Sequence, residues 1–214
     1  MRRVLLVLAL LALALPMAAM ADTITIVNQL GSLNVSTAGI FSNQSQLLSY
    51  NSVVAAPNHS LGSVVYGTGV LDSGSIRFGG TFDAAGSFFK VFGSGPWAKS
   101  LAAGFCGACK NPITLFTGSF SGPISWTLTS PPTDNIHLTY TLSGNIVGTL
   151  YNGRIVTGST VQDIYTVNAQ LKQGIGHIRM GSTGLGVPEP GTLGLLGTGL
   201  VGIAGMFRRK FSRA

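Results

Sequence analysis

Between Asp22 and Val187 the chain does not hold a helical period; it breaks into short runs in which apolar and small polar residues alternate. Alternation puts every second side chain on one face, so each run can bury only one side of itself and needs neighbouring strands to do so. The runs are Thr23–Val27, Ser63–Val70, Ser75–Phe82, Ser87–Phe92, Ile113–Phe120 and Ile124–Thr129, then His137–Leu142, Asn145–Tyr151, Arg154–Val156, Thr160–Val167 and Gly176–Met180. Turn chemistry separates them at Asp72-Ser73-Gly74, Ala85-Gly86, Ser121-Gly122-Pro123, Ser130-Pro131-Pro132, Ser143-Gly144 and Asn152-Gly153. The last of these predicts a type I′ hairpin between Thr149–Tyr151 and Arg154–Val156. Residues 36–60, rich in Asn, Ser and Gln, predict a loop with a short helical turn. The expectation for residues 22–186 is a mostly β domain, an antiparallel β-sandwich or barrel-like fold.

Charge decides which partners such a domain can have. The formal charge is +7, but Arg2, Arg3, Arg208, Arg209, Lys210 and Arg213 sit at the two ends. From Asp22 to Val187 seven basic residues face five Asp, leaving +2 and no basic patch, so nucleic acid is not an expected partner.

The first residues have a short positive start, an apolar stretch from Val4 to Leu15, Pro16 as breaker, and Ala19-Met20-Ala21. Small residues at Ala19 and Ala21 suit signal peptidase, so residues 1–21 read as a signal peptide cleaved after Ala21. At the other end, Gly191 to Phe207 carries no charge, and as a helix at ~1.5 Å per residue it approaches the thickness of a thin hydrocarbon core. Its glycines at 194, 197, 199, 202 and 205 let another helix approach closely in a bilayer. Arg208, Arg209 and Lys210 hold the end 208–214 in the cytoplasm by the positive-inside rule, the topology that the signal peptide also requires.

Ahead of that helix, Pro188 and Pro190 hold Glu189, the chain's only glutamate, in an extended backbone that a protease can bind. Val187-Pro188-Glu189-Pro190, the Gly-rich apolar run and Phe207-Arg208-Arg209-Lys210 together resemble a PEP-CTERM protein-sorting signal. The resemblance covers residues 187–214 alone: motif 187–190, membrane helix 191–207, basic stop 208–214. It implies export across the inner membrane of a Gram-negative bacterium, transient anchoring, and processing near Pro188-Glu189-Pro190 by an exosortase-type membrane protease. For the cargo it implies a place at the cell surface or in the extracellular matrix and a link to exopolysaccharide and biofilm. A stiff linker before a tail anchor is the alternative reading of the same residues.

Cys106-Gly107-Ala108-Cys109-Lys110 has the spacing of a thioredoxin-type redox pair, which needs a helix opening at the first Cys. Asn111-Pro112 and a strand-like run follow instead, so in an exported chain the bland expectation is a small disulfide, with redox chemistry, metal binding or a reduced pair as the alternatives. His59, His137 and His177 have no metal-type spacing, and no metal site or cofactor is expected. The carboxylates available for glycoside hydrolysis are Asp22, Asp72, Asp83, Asp134 and Asp163, with Asp72 and Asp134 in turn contexts. Trp97, Trp126, Tyr140, Tyr151 and Tyr165 offer either a sugar-stacking face or ordinary core packing. These residues predict a secreted protein that is not an enzyme, with a secreted hydrolase and a resident tail-anchored protein as rivals.

Overall fold

The computed structural model describes residues 23–105, 111–130, 138–166 and 174–186. The strands are β1 (Thr23–Gln29), β2 (Ser32–Ser36), β3 (Gly39–Asn43), β4 (Ser45–Tyr50), β5 (Val53–Val54), β6 (Gly62–Gly67) and β7 (Leu71–Ser75). They continue as β8 (Gly79–Phe82), β9 (Phe88–Gly93), β10 (Ile113–Phe120), β11 (Ile124–Ser130), β12 (Leu138–Leu150), β13 (Ile155–Thr166) and β14 (Gly174–Gly186), with one short helix, α1 (Pro96–Ala102), before β10. Ala19, Ala21, Cys106, Cys109, Pro188, Glu189, Pro190, the apolar run 191–207 and Arg208, Arg209 and Lys210 lie outside the described residues. Among the described residues no helix is long and apolar enough to cross a membrane.

Several short strands are segments of longer ones. β1 and β2 keep a single register along β14, from Thr23 opposite Gly186 to Val35 opposite Gly174. β3 and β4 run together along β2 and β1, β6 and β7 along β9 and β8, and β10 and β11 along β12. Counted this way, each strand pairs with its sequence neighbours, and β14 pairs with both β13 and β1. The result is a closed, eight-strand antiparallel barrel. The choice left open between sandwich and barrel is settled by that last pairing, because closure removes the edges a sandwich would leave.

Alternation then sorts the side chains. Ile26, Leu33, Ile40, Leu47, Val64, Phe89, Leu142, Ile164 and Leu185 are buried, while Thr25, Asn34, Thr117, Thr127, Thr157, Ser159 and Ser182 are exposed. A membrane-spanning barrel has the opposite arrangement, an apolar band facing outward. Described side chains pack at each mouth. At one end α1 buries Ala98 and Ala102, and Trp97 Nε1 donates to the Leu61 carbonyl at 3.1 Å. At the other, Trp126 Nε1 donates to the Ile76 carbonyl at 2.7 Å and the Tyr140 hydroxyl to the Arg77 carbonyl at 2.8 Å. The two rings stack at 4.4 Å beneath that turn.

The differences from expectation have local causes. Asp72-Ser73-Gly74 lies within β7, and the chain reverses at 76–78 instead, where the buried Ile76 is drawn over the mouth. Ser143-Gly144 lies inside β12; a Cβ at Gly144 would meet the Phe120 ring at 2.8 Å, so the glycine makes room for a ring and does not make a turn. Residues 36–60 hold β3, β4 and β5, because Ile40, Leu47 and Tyr50 reach inward between the polar residues. The hairpin at Asn152-Gly153 forms, but only Gly153 has positive φ, and its N–H donates to the Leu150 carbonyl. That is a type I turn with a glycine bulge, whereas a type I′ turn needs positive φ at both central residues. The pair with both left-handed is Asn51-Ser52, joining β4 to β5.

Candidate functional site

Among the described residues a cluster of buried polar side chains gathers at one place in the mostly apolar interior. Asn28 on β1, Gly181 on β14 and Gln162 on β13 share one rank of the sheet, with Gly181 in the middle. Because Gly181 has no side chain, the two amides meet above it: Asn28 Nδ2 donates to Gln162 Oε1 at 2.9 Å and Gln162 Nε2 to Asn28 Oδ1 at 3.3 Å. Asn28 also donates to Ser45 Oγ at 2.6 Å, and Gln162 to Thr160 Oγ1 at 2.9 Å. Thr160 and Thr183 hydroxyls lie 2.8 Å apart. All five side chains are buried and paired, as buried polar groups must be to avoid their desolvation cost. This clasp spans the seam where the first and last strands join. The expectations above missed Asn28 and Gln162; the signal available was a long amide at an inward position of an alternating run, after Ile24-Ile26 and before Ile164.

Other buried hydroxyls lack partners. Tyr66 OH, Tyr50 OH and Ser42 Oγ have no hydrogen bond among the described residues. Burial pushes the Tyr66 phenol well above its ordinary range, and Tyr50 follows, through burial first and then the neighbouring Tyr151. Tyr140 is pushed up to about 12 by burial, with the Arg77 charge acting against it. A folded pKa above the unfolded value favours the neutral form in the fold, so this stability is complete below the unfolded pKa, near 10, and drains away as pH rises through the folded value. Thermal melts are expected to be flat from about pH 7 to 9 and to fall above about pH 10. Tyr66→Phe, which removes an unpaired hydroxyl, should raise the midpoint at neutral pH and soften that alkaline fall. An unchanged midpoint at about pH 11 would contradict the assignment.

Among the described residues the candidate carboxylates stand in turn and surface positions. Asp83 Oδ1 accepts from the Ala85 N–H in a turn. Asp163 is exposed on β13, accepting from Thr141 Oγ1 at 3.3 Å, and Asp72 is exposed on β7. Asp22 and Asp134 lie outside the described residues. Among the described residues no three His, Cys, Asp or Glu side chains come together as metal ligands. The five aromatic candidates separate: Trp126 and Tyr140 are buried at one mouth, Trp97 packs on Tyr50 at the other, and Tyr151 meets Phe105 edge-on. Tyr165 alone is on the outer wall, against His177. β10 begins at Ile113, so a strand follows the Cys106–Cys109 pair closely in the chain.

The first described strand begins, and the last ends, at one end of the barrel. Thr23 pairs with Gly186, and Gly186 pairs on its other side with Thr157. Leu185 is fully buried and Ile24 nearly so, which fixes the two strand ends side by side. α1 and the loop 51–61 lie at this same end, as β4 and β9 run toward it. Gly186 is the last residue of β14, two positions before Pro188.

No curated protein and no solved structure matches the chain. Residues 186–210, starting at the last residue of β14, match the family model of the PEP-CTERM protein-sorting motif, which implies an exported protein with an exosortase-type processing partner.

Proposed function

We propose that the barrel is non-enzymatic cargo, carried by its C-terminal label to the surface or extracellular matrix of a Gram-negative cell, where it serves the exopolysaccharide layer. The observation that carries this reading is the sorting match beginning at Gly186, which pairs with Thr23, the residue after the expected mature start at Asp22. Signal peptidase acts after Ala21 and an exosortase-type protease near Pro188-Glu189-Pro190, on segments whose described neighbours, Thr23 and Gly186, are paired. Glu189 between its prolines offers an extended anion for a charge-assisted hydrogen bond, while 191–207 holds the chain in the membrane and Arg208, Arg209 and Lys210 stop its passage. The hydroxyl-rich outer wall suits a protein that works in contact with hydrated polymer.

In the native host, Pro188→Ala with Glu189→Ala and Pro190→Ala should block removal of the tail and leave the protein in the membrane fraction at its unprocessed mass. Wild type should appear outside the cell, shortened. Equal mass and equal release for the two would overturn the sorting role and leave a plain linker.

A further inference from the structure

Against the outer face of β1 and β4 the loop 51–61 encloses a groove of about 370 Å³, lined by Gln29, Leu30, Gln46, Leu48, Val54–Ala55 and the segment 56–59. The size falls within the range of about 300–1,000 Å³ typical of small-ligand sites. Its chemistry is selective. None of the lining residues carries a carboxylate, an ammonium or a guanidinium, yet three side-chain amides, Gln29, Gln46 and Asn58, open onto it together with the imidazole of His59. No hydrogen bond within the described chain uses those four side chains. Leu30, Leu48, Val54 and Pro57 supply apolar surface between them.

A second observation marks the same wall. Five non-glycine residues have left-handed backbone among the described residues: Leu30 (φ 56°), Gln44 (φ 48°), Asn51 (φ 44°), Ser52 (φ 72°) and Asn58 (φ 62°). Leu30 and Asn58 line the groove, Gln44 leads into the strand that carries Gln46, and Asn51-Ser52 form the turn that presents Val54. Strain of this kind persists only where surrounding structure enforces it, and it gathers at binding sites. Leu30 is the clearest case, since an apolar side chain is held 52% exposed by a conformation that glycine or asparagine would adopt more readily. The adjoining Gly31 has no such choice: a Cβ there would come within 2.9 Å of Ser45 Cα.

We infer that this groove binds a short segment of uncharged glycan. Side-chain amides both donate and accept, which matches sugar hydroxyls, and apolar patches between them suit the C–H faces of a pyranose. The lack of formal charge disfavours uronate, phosphate and basic peptide. The inference rests on the extracellular role proposed above and names the polymer chemistry that role would meet.

The test uses the protein purified from its host, titrated calorimetrically with cellohexaose, mannohexaose and dextran oligomers as neutral probes and a polygalacturonate hexamer as charged probe. At least one neutral oligosaccharide should bind, and the charged hexamer should bind more weakly. Gln46→Met removes an amide at nearly constant shape, and Asn58→Gly does so while keeping the left-handed backbone; each should weaken binding about tenfold with the thermal midpoint moved by less than about 2 °C. The inference is overturned if no neutral probe binds, if both variants bind like wild type, or if the charged hexamer binds best. Failure here with tail processing intact removes the glycan site alone, whereas binding retained in protein whose tail is not processed removes the delivery reading alone.

Discussion

Gly181→Ala is expected to cost the barrel about 3–5 kcal/mol, lowering its thermal midpoint by roughly 10 °C. The added Cβ would overlap both Gln162 Oε1 and Asn28 Oδ1. The neighbours cannot yield cheaply, because those oxygens belong to the paired amides that reach over β14 from β1 to β13, and both side chains are fully buried. Pushing them apart strands buried donors and acceptors, each worth about 1–3 kcal/mol, on top of the overpacking itself. Gly184→Ala, three residues along the same strand, provides the control, since a Cβ there meets nothing within 4 Å. It should change stability by less than about 0.5 kcal/mol. Urea unfolding of the two variants beside wild type checks both; equal stability for all three would mean that the clasp does not hold the seam.

Trp126→Ala should be nearly as damaging, at about 3–5 kcal/mol, the range for truncating a large aromatic in a core. Trp126 is 1% exposed, stacks on Tyr140 at 4.4 Å with an 8° tilt, and is the donor that ties down the Ile76 carbonyl. Its loss opens the mouth that the 76–78 turn covers and leaves that carbonyl unpaired. Trp126→Phe keeps most of the ring contact and loses the N–H, so it should cost about 1–2 kcal/mol. Near-ultraviolet circular dichroism with urea titration separates the two. If alanine and phenylalanine cost the same, the hydrogen bond outweighs the ring, and the packing account of this mouth is wrong.

Neither effect was legible in the sequence, although the residues were. Trp126 and Tyr140 stood in alternating runs, and alternation says that a residue faces one side without saying which side closes. Gly144 beside Ser143 reads as a turn, and only the Phe120 ring against it shows why a glycine stands in mid-strand. Asp72-Ser73-Gly74 has the composition of a turn, yet burial of Ile76 moves the reversal further along. Tertiary packing overrides turn preference at such points, since a buried side chain and a paired carbonyl outweigh a local propensity worth a fraction of a kcal/mol, roughly. The groove beneath loop 51–61 was hidden for a related reason: the Asn, Ser and Gln that suggested an irregular loop in residues 36–60 are in part outward residues of β3 and β4.

By itself the sequence determined that this chain is a series of short alternating strands and that its last residues carry a sorting motif, because both depend on local chemistry: side-chain period, turn residues, and an ordered set of prolines, glutamate, apolar run and basic stop. Only the tertiary structure decided that the sheet closes, that Trp126 and Tyr140 stack at one of its mouths, and that Thr23 and Gly186 end as neighbours. Those outcomes rest on contacts between residues far apart in the chain. Hydrogen-bond register and side-chain volume select them jointly, and a run of alternating residues does not reveal which distant run it will pair with.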